Sequence, residues 1–304
     1  MTLVEAIIIG IVQGLTEFIP VSSTAHLIFA SKWLGLYGGS GAQLQAERTT
    51  ATIAVVQLGT LVAVFVYFAR DIWAISRAFV LDHLALLRGG GETNEGSETG
   101  GAISRAWAGL SDEARLGWLV VIGSIPIGVV GLLFKDEIEG TFTKNLWVIA
   151  TMMVAVGLLL ALAEKVGARR REMRDLNLRD ALAVGGAQVL SLLPGASRSG
   201  STIMGGLFAG ETRETAARFS FLLSIPAITA SGLLELREAV EKLPGGSALP
   251  LAVATVTAGL VGYASIWFLL RFLRTRSTFA FIAYRLAVGL ALLALLAAGR
   301  IQPV

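Results

Sequence analysis

The chain has 304 residues, of which 54% are hydrophobic and only 15% charged, with a mean hydropathy of +0.71. Soluble domains carry about 25% charged residues, so this composition excludes a soluble globule and points to an integral membrane protein. The net charge of +3 is clustered between apolar runs, a topology pattern rather than a nucleic-acid-binding one, and the absence of cysteine excludes disulfides and thiolate metal sites.

The first apolar region, residues 2–35, has no Lys or Arg before Lys32 and so lacks the basic start of a signal peptide. It reads as part of the mature fold. Pro, Gly and Ser break it in the middle, leaving halves of about 14 residues, too short to span a hydrocarbon core that needs roughly 17–25. Residues 179–210 repeat this pattern. Broken helices persist at membrane depth only when buried in protein or lining a cavity, so both regions are expected to be re-entrant helical hairpins. Six runs are long enough to cross: 50–69, 116–134, 146–163, 216–236, 249–270 and 278–298.

The segments 70–115, 165–179 and 271–276 are rich in arginine and are expected inside, whereas 135–144 and 237–249 are less basic and are expected outside. Residues 88–102 (RGGGETNEGSETGGA) read as a flexible cytoplasmic linker. Threading the chain through these assignments gives an all-α polytopic membrane protein of one domain, 1–304. It comprises two inverted-topology repeats, 1–163 and 179–300, each a re-entrant hairpin plus three transmembrane helices. Discontinuous helices then meet near the midplane. A weak echo between Gly10, Gln13, Pro20 and Ser22 and Gly185, Gln188, Pro194 and Ser197 supports this, with one residue of slippage.

The breaks carry the polar chemistry. Residues 13–26 read QGLTEFIPVSSTAH. Gln13 and Glu17 share a helix face at i, i+4, Pro20 ends or bends that helix, and Ser22 or Ser23 can cap the next one. Glu17, Ser23 and His26 are thus expected to converge, offering a carboxylate for a metal or a proton, a hydroxyl nucleophile and an imidazole base. Residues 194–202 read PGASRSGST. Here Pro194 and Gly195 break a helix, and the next begins with free N–H groups and a positive dipole end suited to phosphate. Arg198 adds a planar fork for phosphate oxygens. Blander roles are assigned elsewhere: a kink at Ser224 and Pro226, a solvated His83, a topology signal at Arg169 to Arg171, and either site-facing or packing duty for Gln57.

The two motifs together, with VQLG at 56–59 and FSFLLSIP at 219–226, resemble the undecaprenyl-diphosphate phosphatase family of bacterial inner membranes, the bacitracin-resistance type, over nearly the whole chain. The resemblance implies hydrolysis of undecaprenyl diphosphate to undecaprenyl phosphate, the lipid carrier of cell-wall precursors, at a periplasmic site using a divalent cation, Mg²⁺ or Ca²⁺. It implies catalytic roles for Glu17, Ser23, His26 and Arg198. Ser23 is the nucleophile with His26 its base, or His26 itself attacks. Phosphates would bind to Ser22, Thr24, Ser197, Arg198, Ser199, Gly200, Ser201 and Thr202, and metal to Glu17 and Gln13. Expected partners are the polyprenyl diphosphate and membrane lipids, with no nucleic acid and a homodimer as an open option. Two departures are Ile53, where the family often has an acidic residue, and the long Gly/Glu-rich insert. A transporter or flippase of polyprenyl phosphate is the alternative, since inverted repeats suit alternating access. A carrier has no need of the Glu17, Ser23 and His26 set.

Overall fold

The structure is a computed structural model that describes residues 1–37, 42–88, 107–134, 137, 145–242 and 248–302. The expected linker at 89–102, nearly all of the 135–144 segment and residues 243–247 lie outside these. Among the described residues the secondary structure is helical apart from one isolated β-bridge between Arg171 and Glu211.

The first apolar region forms helices α1 (Leu3–Phe18) and α2 (Ser23–Trp33). Thr2 starts α1 through a reciprocal capping box with Glu5, which satisfies two otherwise orphaned N–H groups. Helix α3 (Ala42–Tyr67) follows, then α4 (Ala69–Leu87), which occupies part of what the charge pattern suggested was a loop. Helices α5 (Asp112–Leu133) and α6 (Leu146–Val166) begin at Ser111 and Asn145, whose side chains accept the N–H of Ala114 and Trp147. The second broken region gives α7 (Leu178–Val189), capped by Asn177 with Asp180, and α8 (Arg198–Phe208). The chain ends with α9 (Arg213–Lys242), which runs past the expected boundary at 236, then α10 (Ala248–Thr275) and α11 (Phe279–Ala297). Pro226 lies inside α9, where it removes one helix hydrogen bond.

Among the described residues, five stretches are long and apolar enough to cross a membrane: Glu47–Tyr67 within α3, and helices α5, α6, α10 and α11. This is a multi-pass membrane protein. The sixth expected crossing, 216–236, falls within α9.

Small residues set the helix contacts. Helix α1 packs on α10, where a Cβ at Gly10 would lie 2.5 Å from the carbonyl oxygen of Ala254 and one at Gly14 would lie 2.9 Å from that of Ala258. Helix α7 packs on α5 in the same manner, Gly185 against the backbone of Gly123. Without a hydrophobic drive between helices in lipid, close backbone approach supplies the dispersion contacts. The central core joins both broken regions: Phe18 and Val21 from the first, Ile203, Met204 and Leu207 from the second, packed with Phe221, Ile266, Leu269 and Phe281.

Polar residues fix the end of the molecule that carries the arginine-rich segments. Buried Glu164 accepts from Arg169, Arg213 and Thr278, linking α6, α9 and α11. Arg171 pairs with Asp180, and Arg218 with Asp71 at 2.8 Å. Arg169 and Arg171 are therefore structural ion-pair partners, a role beyond the topology signal expected of them. His83 is likewise held rather than solvated, between the carbonyl of Phe79 and the indole N–H of Trp118 at 3.1 Å.

Candidate active site

The two chain breaks meet. Glu17, at the end of α1, is buried, and its Oε1 accepts from Arg198 Nη2 at 2.9 Å. Its Oε2 accepts from Ser23 Oγ at 2.9 Å and from Gln13 Nε2 at 3.3 Å. The Gln13 amide also reaches Thr60 of α3 at 3.4 Å. Ser199 Oγ lies 3.3 Å from the carbonyl of Glu17 and 3.4 Å from that of Ile19, so the second tip also holds the backbone of the first.

Both tip helices start from a strained residue. Ser22 (φ 77°) and Ser197 (φ 68°) are the N-caps of α2 and α8, in the positive-φ region that non-glycine residues rarely adopt. The same 175-residue offset relates Gln13 to Gln188 and Ser22 to Ser197, so the slippage expected from the sequence is confined to the prolines. Such strain costs of order 1–3 kcal/mol and persists only where the surroundings enforce it, commonly at functional sites. Ser197 Oγ accepts the Gly200 N–H at 3.2 Å, whereas Ser22 Oγ is buried without a hydrogen-bond partner.

The remaining candidate residues divide into two groups. Ser23 and His26 are half-buried and Thr24 is exposed at the start of α2. Ser199, Gly200, Ser201 and Thr202 are buried, and Thr202 Oγ1 bonds back to the carbonyl of Arg198 at 2.8 Å and pairs with Ser220. Ser199 and Thr202 brace the tips through these bonds, whereas Ser201 Oγ is buried without a hydrogen-bond partner.

His26 lies apart from Ser23 in the hydrogen-bond pattern. Its Nδ1 is 2.7 Å from the carbonyl of Ser22, and its Nε2 is 2.7 Å from the hydroxyl of Tyr284, with the two rings stacked 5.6 Å apart. A carbonyl only accepts, so Nδ1 carries the hydrogen, and the neutral ring's Nε2 then accepts from Tyr284.

Two α11 neighbours complete the site. Besides Tyr284, the guanidinium of Arg285, fully buried, donates to three backbone carbonyls of the tips, Pro20, Gly195 and Ala196, and to that of Met153 in α6. Thr60, Tyr284 and Arg285 were not singled out from the sequence. The available signal was an arginine inside the apolar run 278–298, since ionisable residues at membrane depth are rare and costly without a use.

The family description "Bacitracin resistance protein BacA" matches residues 6–291. The chain belongs to the BacA family. Proteins named undecaprenyl-diphosphatase match it end to end. That of Syntrophobacter fumaroxidans is 46% identical over 293 residues, covering 96% of this chain and 97% of its own. That of Chlorobium phaeobacteroides is 45% identical, covering 99% and 100%. That of Nocardia farcinica is 43% identical, covering 99% and 98%. The BacA-family motifs read from the sequence are the two segments that meet at Glu17 and Arg198.

Proposed function

We propose that this BacA-family protein hydrolyses undecaprenyl diphosphate to undecaprenyl phosphate and inorganic phosphate in the bacterial inner membrane, recycling the lipid carrier for wall synthesis and conferring bacitracin resistance. The observation that carries the reading is the carboxylate of Glu17 shared between Ser23 and Arg198 where the two breaks converge. A hydroxyl donating to a buried carboxylate is a nucleophile beside its base. The arginine beside it supplies the charge that phosphoryl transfer requires.

In the reaction Ser23 Oγ attacks the terminal phosphorus, and its proton passes to Glu17 Oε2. The bond to the bridging oxygen breaks, and undecaprenyl phosphate leaves. Water then attacks the phosphorus of the phosphoserine, the bond to Ser23 Oγ breaks as Glu17 returns its proton to that oxygen, and inorganic phosphate departs with the water's oxygen and protons. Arg198 Nη1, buried without a hydrogen-bond partner, is the donor free to receive a phosphate oxygen. Because both His26 nitrogens are engaged, His26 fixes the mouth of the site with Tyr284 instead of serving as Ser23's base.

A divalent cation fits the donors present. Gln13 Oε1 is buried with no hydrogen-bond partner and sits on the same helix face as the Glu17 carboxylate. Among the described residues no cluster of three His, Cys, Asp or Glu residues could hold a metal ion. Glu17 and Gln13 would therefore hold Mg²⁺ or Ca²⁺ together with substrate phosphate oxygens and water, as is usual for Mg²⁺. The bound cation would neutralise charge on the diphosphate.

The inverted repeat is part of the same proposal, with six spans, α3, α5, α6, α9, α10 and α11, and two re-entrant hairpins, α1–α2 and α7–α8. The helix pairs support it. Helix α1 on α10 is matched by α7 on α5, and α3 on α10 by α9 on α5. The arginine-rich segments, expected inside, support a site that faces the periplasm. A carrier of polyprenyl phosphate would need the phosphate ligands without a serine donating to a carboxylate, so hydrolysis is the preferred reading. Purified protein in detergent with a divalent cation should release inorganic phosphate from a polyprenyl diphosphate. A folded wild type that releases none would overturn the assignment.

A further inference from the structure

Arg285 is the largest fully buried side chain, and no carboxylate pairs with it among the described residues. An uncompensated guanidinium at membrane depth is costly. Its contacts indicate its use. Nη1 donates to the carbonyl of Pro20 in the first tip at 3.2 Å. Nη2 donates to Gly195 at 3.1 Å and Ala196 at 2.9 Å in the second. Nε donates to Met153 of α6 at 3.3 Å. One planar group thus ties both tips and a neighbouring helix, three of its bonds being to the chain breaks that have no helix ladder of their own. Gly200 fits the same arrangement: a Cβ there would lie 2.5 Å from Arg285 Nη1.

We propose that Arg285 is a positioning residue of the phosphatase reaction. It fixes Ser23 on the first tip and Arg198 on the second at one separation, and its unpaired charge lies behind the site that receives the diphosphate. The assignment rests on the phosphatase reading for its kinetic arm only. The fork geometry is the essential feature. A lysine ammonium could keep the charge but has three donors on one nitrogen and does not span two tips at once. Misplacing reacting groups by about 1 Å costs on the order of a hundredfold in rate.

The test uses Arg285→Gln, Arg285→Lys and Gly200→Ala in full-length detergent-solubilised protein, with phosphate release from a polyprenyl diphosphate as the kinetic readout. The chain has no cysteine, so spin labels on introduced cysteines at Lys32 of α2 and Phe208 of α8 report the separation of the two hairpins. Arg285→Gln should lower kcat by about a hundredfold or more with KM within about threefold, since ground-state ligands remain. It should also broaden or shift the label distance distribution. Arg285→Lys should fail to restore kcat. Gly200→Ala, which keeps Arg285 but crowds Nη1, should lower kcat in the same sense and remains informative if Arg285→Gln does not fold. Wild-type kcat in any folded variant overturns the proposal, as does a loss of kcat with an unchanged distance distribution. If the wild type releases no phosphate, the phosphatase reading fails, and the distance arm still decides whether Arg285 clamps the tips.

Discussion

In the proposed reaction the chemistry turns on Glu17, because its two oxygens serve different partners: Arg198 on one and Ser23 on the other. Replacing Ser23 with Ala should remove the nucleophile and lower kcat by about a thousandfold or more, with the protein still folded. Glu17→Gln should be comparably damaging, because it loses both the proton acceptor and the partner of a buried arginine. His26→Ala should cost less, about ten- to a hundredfold, if its role is to hold the mouth with Tyr284. A rapid-quench experiment that trapped phosphohistidine in place of phosphoserine would reverse the order of Ser23 and His26. A second residue-scale effect lies at Glu211, in the turn after α8. It is fully buried with neither carboxylate oxygen hydrogen-bonded. Burial, and then the nearby Asp180 charge, push its carboxyl up to about 8 against the pull of Arg171. The folded state thus keeps a proton that the unfolded chain releases near its ordinary value of 4.5. Stability from this group is full below about 4.5, falls as pH rises toward about 8, and changes no further above that. Glu211→Gln should flatten that decline and add a few kcal/mol at pH 8, on the order implied by the shift, as measured by thermal unfolding in detergent across pH.

At the scale of elements, the two broken helices use one construction. An entry helix packs by glycine on a spanning helix, a short turn follows, and a serine with positive φ starts the second helix. That construction brings the N-terminal ends of α2 and α8 to the point where the breaks meet. The glycine contacts leave no space for a methyl group. Gly59→Ala would drive a Cβ into the carbonyl of Thr255, and Gly185→Ala into the backbone of Gly123. Each should destabilise by about 1–3 kcal/mol, the usual cost of overpacking, with a lower unfolding temperature as the readout. Ser22→Gly relieves the backbone strain but frees the unfolded chain, so its stability should change by less than about 1 kcal/mol. A large fall in turnover with little change in stability would mark the Ser22 hydroxyl as a ligand for the phosphate.

At the scale of the whole molecule, orientation can be tested because the chain has no cysteine to remove. A cysteine replacing the exposed Leu87 at the end of α4 should be labelled from the cytoplasm, and one replacing the exposed Trp33 at the end of α2 from the periplasm. The opposite pattern would invert the proposed topology and turn the site inward. Chelation of divalent cations should abolish phosphate release and leave the helices intact. The ion pairs and glycine contacts that hold the fold use protein groups alone.

Five of the apolar runs, the two breaks and the polar residues gathered at them could be read from the sequence because each follows a local rule. A span needs its length of apolar residues, a hairpin tip needs Pro, Gly and Ser, and a charge at membrane depth needs a use. The helix α4 was missed because arginines at regular intervals read as a loop, although Ile72, Ile75 and Phe79 lie at helical spacing; Ile75 and Phe79 pack on Gly117 of α5. The partner of His26 and the clamp on the tips depended on the tertiary structure. Tyr284 lies 258 residues from His26, and Arg285 lies 265 from Pro20, so no periodicity links them. Arg285 also binds backbone carbonyls, which every residue carries and no side-chain pattern can signal. Which group Ser23 is hydrogen-bonded to was likewise a question of distance. Ser23 and His26 share a helix turn, but the fold aims Ser23 at Glu17 across the break and draws His26 away to α11.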